Sequence, residues 1–180
     1  MKTALVIVDL QNDYFPGGDW ELKGTEKAAS NAAKLLNYAR KNNMPVVHVR
    51  HEFPNNDAPF FKPNSKGAEI HVSVINQEGE PVVLKQEINS FKNTNLKEIL
   101  DENNIENLWI CGAMSHMCID AVTRAASDFG YNCTVAHDAC ATLDLTFNGV
   151  TVPAEQVHAA YMSALQFAYA KVLATEEIIG

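Results

Sequence analysis

The chain has 180 residues, 47% of them hydrophobic and 20% charged, the composition of an ordinary globular protein able to bury a sizeable core as one domain over residues 1–180. A formal net charge of −8 argues against nucleic acid as a partner, since a phosphate-binding surface needs a basic stripe and none is visible. No stretch approaches the ~20 consecutive apolar residues of a membrane helix, so no membrane partner is expected. The run Ala4–Val8 is too short for a signal-peptide core. The four cysteines (111, 118, 133 and 140) therefore read as free thiols in a reducing, cytoplasmic setting rather than as a disulfide framework.

Ala4–Val8 predicts a first strand, followed by a loop from Asp9 to Gly24 with Pro16-Gly17-Gly18 marking a turn. Thr25 fits a helix N-cap, and Ala28, Ala29, Ala32, Leu35, Leu36 and Ala39 recur at helical spacing up to Asn42-Asn43, where Pro45 forbids continuation. Pro45–Arg50 predicts a second strand. A long excursion from His51 to Glu80 follows, of a length that is usually functional in a compact domain. Pro81–Lys85 predicts a third strand, Thr94 caps a short helix carrying Leu96, Ile99 and Leu100, and Asn107–Cys111 predicts a fourth strand. The next helix carries Cys118, Ile119, Val122, Ala125, Ala126 and Phe129 on one stripe, with Gly130 at its C′ position. Tyr131–Ala136 predicts a fifth strand, Asp138 to Pro153 a loop, Ala154 to Ala170 a helix and Lys171–Ala174 a last short strand. Alternation of apolar strands with helices predicts an α/β, Rossmann-like three-layer α/β/α fold with a mainly parallel central sheet of about six strands.

Three residues far apart in the chain each close an apolar run or follow one: Asp9, Lys85 and Cys118. In an open parallel sheet the carboxyl ends of the strands form the ligand-binding rim, so this pattern delivers an acid, a cation and a thiol to one place. Those are the parts of an activated nucleophile. Singly each is weak, because an Asp after a strand commonly caps a turn, a Lys at a strand end is usually solvated, and a Cys on an apolar stripe is commonly a core residue. Cys111 and Cys133, inside strand runs, read as core. Cys118 differs because Gly112 to Met117 links a strand directly to the helix whose first turn holds it. The dipole and unpaired amides at such a position favour thiolate, lower the thiol pKa and can bind an oxyanion. The Cys118/Arg124 spacing matches that of cysteine-dependent phosphatases, but the residues between contain no glycine and continue a helical stripe. No dinucleotide or Walker-type glycine motif is present, and the six histidines include no i, i+4 pair on a helix, so neither a cofactor nor a metal site is indicated.

Taken together, Val6-Ile-Val-Asp9-Leu-Gln-Asn-Asp13-Tyr-Phe15, Val83-Leu-Lys85 with Asn89-Ser-Phe91 and Thr94-Asn-Leu96, and Gly112-Ala-Met-Ser115-His-Met-Cys118-Ile resemble the three motifs of the isochorismatase-like cysteine hydrolase superfamily, and the resemblance covers essentially the whole chain. That group includes nicotinamidases, isochorismatases and streptothricin hydrolases. The resemblance implies a catalytic triad of Asp9, Lys85 and Cys118. It also implies a cis peptide between Ala113 and Met114 that aims the backbone N–H of Met114, with that of Cys118, at an oxyanion. Nicotinamidases place an Asp and a His of a metal site just after the second strand, where this chain has His51 and Phe53, so a metal-held pyridine is not expected. Siderophore-pathway isochorismatases commonly lack the cysteine, so Cys118 points to a metal-independent amidohydrolase acting on a C–N bond of a small molecule. A vinyl ether hydrolase and a non-catalytic binding paralogue are the alternatives. Phe15, Trp20, Phe53 and Phe91, in predicted loops, and His116, two before the thiol, are the candidate substrate-binding residues. Phe60 and Phe61 belong to the same apolar loop set. A homodimer or homotetramer is expected from the resemblance alone.

Overall fold

A computed structural model describes residues 2–180. The chain runs β1 (Lys2–Val8), α1 (Thr25–Lys41), β2 (Val46–His51), β3 (Val82–Lys85), α2 (Leu96–Glu102), β4 (Ile105–Ala113), α3 (Asp120–Asp128), β5 (Asn132–Ala141), β6 (Leu145–Phe147), β7 (Val150–Val152), α4 (Ala154–Ala168), β8 (Ala170–Leu173) and α5 (Thr175–Ile179). Six strands form one parallel sheet in the order β3-β2-β1-β4-β5-β8. The run Ala4–Val8 is continuously apolar because both faces of β1 are covered. Leu5 and Ile7 face the α1 residues Ala28, Ala32, Leu35 and Leu36 in one core, whereas Ala4, Val6 and Val8 join Leu96, Leu100, Val122, Ala126 and Leu165 in the other. This is the expected three-layer α/β/α arrangement. The strand order reverses between β1 and β4, and the crevice beyond the carboxyl ends at such a switch is where open α/β sheets bind ligands.

Several boundaries differ from the sequence expectation. Gly24, with φ 70°, is the N-cap of α1, and Thr25 is its first helical residue. Thr25 instead donates its hydroxyl back to the Leu22 carbonyl at 3.1 Å. Asn95 rather than Thr94 caps α2. Phe129, placed on the apolar stripe by its spacing, is exposed and meets Phe91 edge-on at 5.1 Å. β5 continues past a register shift to Ala141, and the expected loop after it contains an antiparallel hairpin, β6–β7. Its turn is Asn148-Gly149, with φ 49° and 78°. Asn-Gly between short β-rich runs is the strongest local hairpin signal, so this element was readable from the chain. α5 was not anticipated; its start is tied to β5 by the Asp138 carboxylate, which accepts from Thr175 N at 2.8 Å and from its hydroxyl at 2.7 Å.

The 51–80 excursion is stitched to the body by side chains of the first loop. Gln11 Nε2 donates to the carbonyls of His51 and Ala68, both at 2.7 Å, while its Oε1 accepts from His51 N at 2.8 Å. Asp13 Oδ2 accepts from Phe61 N at 2.6 Å, and Gly67 lies so close to that carboxylate that a Cβ there would overlap it. The far end of the excursion is held by Glu80, which takes Arg40 Nε at 2.7 Å and Nη2 at 2.8 Å and faces the buried His48 Nε2 at 3.0 Å. The Arg40 hydrogen bonds hold Glu80 down to about 2, and burial holds His48 below its usual range despite Glu80. Both folded values are depressed, so their stability is present above the unfolded values and lost as pH falls. Urea midpoints are expected to decline first below about 6.5, as buried histidines are forced to charge, and again between about 4.5 and 2. Glu80→Gln is expected to cost about 1.5–3 kcal/mol near neutrality and to erase the lower stage, as urea titrations across that pH range would show.

Candidate active site

Asp9 follows β1 directly and adopts a left-handed conformation, φ 51°, its N–H donating to Val49 O at 2.9 Å. Aspartate tolerates that region better than most side chains. Beside it the end of β4 approaches β1 so closely that a Cβ on Gly112, φ 130°, would overlap the Val8 carbonyl oxygen. Only glycine fits there. β4 then passes through a cis bond between Ala113 and Met114 into a single wide turn, Ser115–Ile119, of π-helical form before α3. In that turn the Met114 carbonyl accepts from Met117 N at 3.0 Å and Ile119 N at 3.2 Å. Ser115 ties the turn to its surroundings, donating to Ala141 O at 3.3 Å and pairing with His158 Nδ1 at 2.8 Å.

Lys85 ends the edge strand β3, and β2 separates it from β1. Its ammonium nevertheless reaches across the rim. Nζ lies 2.8 Å from Asp9 Oδ2, 3.2 Å from Cys118 Sγ, 3.1 Å from Glu87 O and 3.1 Å from His51 Nδ1. Relative exposures of 0% for Asp9, 1% for Lys85 and 3% for Cys118 make this a charged cluster sealed inside the protein. Apart from that ammonium, the Asp9 carboxylate meets only the Cys118 thiol among the described residues. A buried carboxylate left so bare needs its counter-ion.

The electrostatics reverse one expectation. Burial alone disfavours the Lys85 ammonium, but Asp9 and then Cys118 outweigh it and raise the lysine pKa. The Cys118 thiol is pushed up to about 12, first by burial and second by the Asp9 charge, with Lys85 offsetting only part of this. The helix-terminus argument predicted a lowered thiol pKa. Desolvation dominates because the sulfur is enclosed rather than presented at an open helix end. The resting cluster is therefore an Asp9–Lys85 ion pair beside a neutral thiol.

Two residues that the sequence reading did not nominate stand here. His51 is the register partner of Lys85 in the β2–β3 pair, which explains its place against the ammonium. Burial and the Lys85 charge lower its pKa to about 4, so it is neutral. Tyr14 is buried, and its hydroxyl pKa is raised by burial and then by the charges of Asp9 and Cys118. Its neighbour Phe15, the nominated residue, stacks instead on His71 at 3.5 Å. Both adjacent rings are buried, and at the short 3₁₀ turn Asn12–Tyr14 they part, Tyr14 packing on Phe60 and Phe61 and Phe15 on His71. Phe53 lies 4.5 Å from the His51 ring and 5.3 Å from Phe60, which in turn stacks on the half-exposed Trp20 at 4.8 Å. Phe91 packs with Phe129 and Tyr131, and His116 Nδ1 pairs with Thr142 Oγ1 at 2.6 Å. A cavity of about 480 Å³ on the same rim is lined by Lys23, Lys27, His137, Thr142 and His158, none of them from the ion-pair cluster. Among the described residues no three His, Cys, Asp or Glu side chains gather as a metal-binding group, and His51, where a nicotinamidase metal ligand would align, meets Lys85 through Nδ1.

A doubly covered parallel sheet with an acid, a lysine and a cysteine brought together at its rim has the three-layer α/β/α form of an isochorismatase-like hydrolase. A family model described as the isochorismatase domain matches residues 3–177, and the chain belongs to that family. It is 51% identical to the isochorismatase family protein YddQ of Bacillus subtilis over 99% of both chains. It is 33% identical to a streptothricin hydrolase of Streptomyces noursei, over 79% of this chain and 50% of that one. Among solved structures, an isochorismatase hydrolase family member from Oleispira antarctica superposes with a TM-score of 0.96 at 63% identity, covering 99% of this chain and 96% of the other. An isochorismatase from Pseudomonas putida superposes at 0.91 with 37% identity, covering 97% and 89%.

Proposed function

We propose that this hydrolase is a metal-independent cysteine amidohydrolase that cleaves a C–N bond of a small molecule through a thioester on Cys118. The observation that carries the reading is the buried Lys85 ammonium set 2.8 Å from Asp9 and 3.2 Å from Cys118. With a neutral thiol at rest, Asp9 takes the Cys118 proton as the sulfur attacks the carbonyl carbon, so thiolate never accumulates. Lys85 holds the carboxylate in place and stabilises the sulfur as negative charge develops on it. The backbone N–H groups of Met114 and Cys118 donate to the oxyanion of the tetrahedral intermediate. Asp9 then protonates the departing nitrogen as the C–N bond breaks, leaving the thioester. A water deprotonated by the same carboxylate attacks it, releasing the acid and restoring the thiol.

The reaction is placed in the reducing cytoplasm, where the cysteines stay free. Ammonia or amine release from primary amides, lactams and ureido compounds, with isochorismate run beside them, tests the reading. Turnover of an amide that stops when Cys118 is alkylated supports it. Turnover of isochorismate alone, unaffected by alkylation, replaces it with the ether hydrolase. Reaction of the resting thiol with iodoacetamide is expected to be slow at neutral pH and to climb about tenfold per pH unit well beyond 9, because the thiol titrates near 12. We also propose association into a homodimer or homotetramer, supported by the exposed Phe147 and Val150 of the β6–β7 hairpin and Phe167 of α4. Light scattering is expected to give a multiple of 19.8 kDa, shifted towards the monomer by Phe147→Ser with Phe167→Ser.

A further inference from the structure

The Lys85 ammonium has three protons and four neighbours: Asp9 Oδ2, Glu87 O, His51 Nδ1 and Cys118 Sγ. The neutral thiol is the weakest acceptor of the four, so the three protons go to the carboxylate, the carbonyl and the imidazole. A neutral imidazole that accepts at Nδ1 must carry its proton on Nε2. His51 is only 4% exposed, and its Nε2 has no hydrogen-bond partner among the described residues. Its ring packs against Phe53 at 4.5 Å and Phe61 at 6.2 Å, and Phe61 in turn packs on Tyr14 at 4.6 Å, so its surroundings are mainly aromatic. A buried N–H without an acceptor is costly, and such a group at a reaction centre has a use for the cost.

We infer that His51 is a substrate-binding donor of this site, its tautomer set by Lys85, with Nε2–H hydrogen-bonded to an oxygen acceptor of a small amide held among Tyr14, Phe53 and Phe61. The inference builds on the amidohydrolase reading but extends it to a residue outside the acid, lysine and thiol. It also links binding to chemistry. As negative charge develops on Cys118, the sulfur becomes the better acceptor, and the Lys85 proton shared with His51 is the one free to turn towards it.

The test does not require knowing the natural substrate. Alkylation of Cys118, located by peptide mapping, is timed with iodoacetamide, which carries an amide oxygen, and with iodoethane, which carries none. Each rate is divided by the rate of the same reagent with glutathione. His51→Phe keeps the ring and loses the donor, and His51→Gln keeps an N–H. The amide preference is expected to fall about tenfold in His51→Phe and to stay within about threefold of wild type in His51→Gln. Imidazole ¹⁵N shifts of the wild-type protein are expected to show His51 protonated on Nε2 and bare on Nδ1. An unchanged preference in His51→Phe, or protonation on Nδ1, overturns the inference. For any amide that wild type hydrolyses, His51→Phe is expected to raise KM about tenfold with a smaller change in kcat; an unmoved KM counts against His51 and leaves the amidohydrolase reading standing. A protein that hydrolyses no amide yet shows the lost preference in His51→Phe leaves the donor role standing and removes the amidohydrolase reading instead.

Discussion

Cys118→Ala is expected to lower amide turnover on the order of 10⁴-fold or more while the protein folds as before. The sulfur is the only group placed to form the thioester, and removing a nucleophile from a set of residues that act as a unit forfeits nearly all their joint effect. The structural cost is small by comparison. The thiol is neutral at rest and receives no more than a share of one Lys85 proton, so its removal leaves the Asp9–Lys85 pair intact and opens a space of one sulfur atom. A loss of about 1 kcal/mol is expected, visible as a modest drop in melting temperature. Steady-state assays beside a thermal melt check both halves. Retained turnover in a folded Cys118→Ala protein would remove the thioester route.

Asp9→Asn and Lys85→Met are expected to be equally inactive but to part company in two other measurements. Lys85→Met strands a fully buried carboxylate that has no other counter-ion, and about 3–5 kcal/mol of stability should go with it. Thiol alkylation should slow further, because the one charge that favours thiolate is gone. Asp9→Asn removes the second-largest cause of the high thiol pKa and leaves Lys85 facing the sulfur, so alkylation should become faster at neutral pH as turnover collapses. A more reactive thiol in a dead enzyme is the signature of a lost general base. The double variant Asp9→Asn with Lys85→Met should recover part of the lost stability, since neither charge is then left alone, and a double-mutant cycle from urea midpoints measures the coupling. Strictly additive losses would mean that the ion pair does not hold the site together.

The fold was legible because both cores impose their periods on the chain. Leu5 and Ile7 point one way and Ala4, Val6 and Val8 the other, so the first strand had to be a continuous apolar run, and the α1 stripe from Ala28 to Ala39 has helical spacing because it covers one of those faces. The Asn148-Gly149 turn is equally legible, because its two positive φ values suit that dipeptide. α5 was not, because its start is secured by Asp138, 37 residues earlier in the chain.

The same division runs through the site. That Asp9, Lys85 and Cys118 would reach one rim followed from where the apolar runs stop, because parallel strands carry their carboxyl ends to the same side whatever their order. The direction of the Cys118 pKa, the different partners of Tyr14 and Phe15, and the presence of His51 beside the ammonium did not follow. Each depends on what surrounds the group in space. Desolvation is a property of the whole enclosure, the two adjacent rings part at a turn three residues long, and His51 meets Lys85 through the register of two strands separated by a long excursion. Local patterning tells a chain where its strands end; the company kept at those ends is settled by long-range packing, and with it the protonation state that the chemistry starts from.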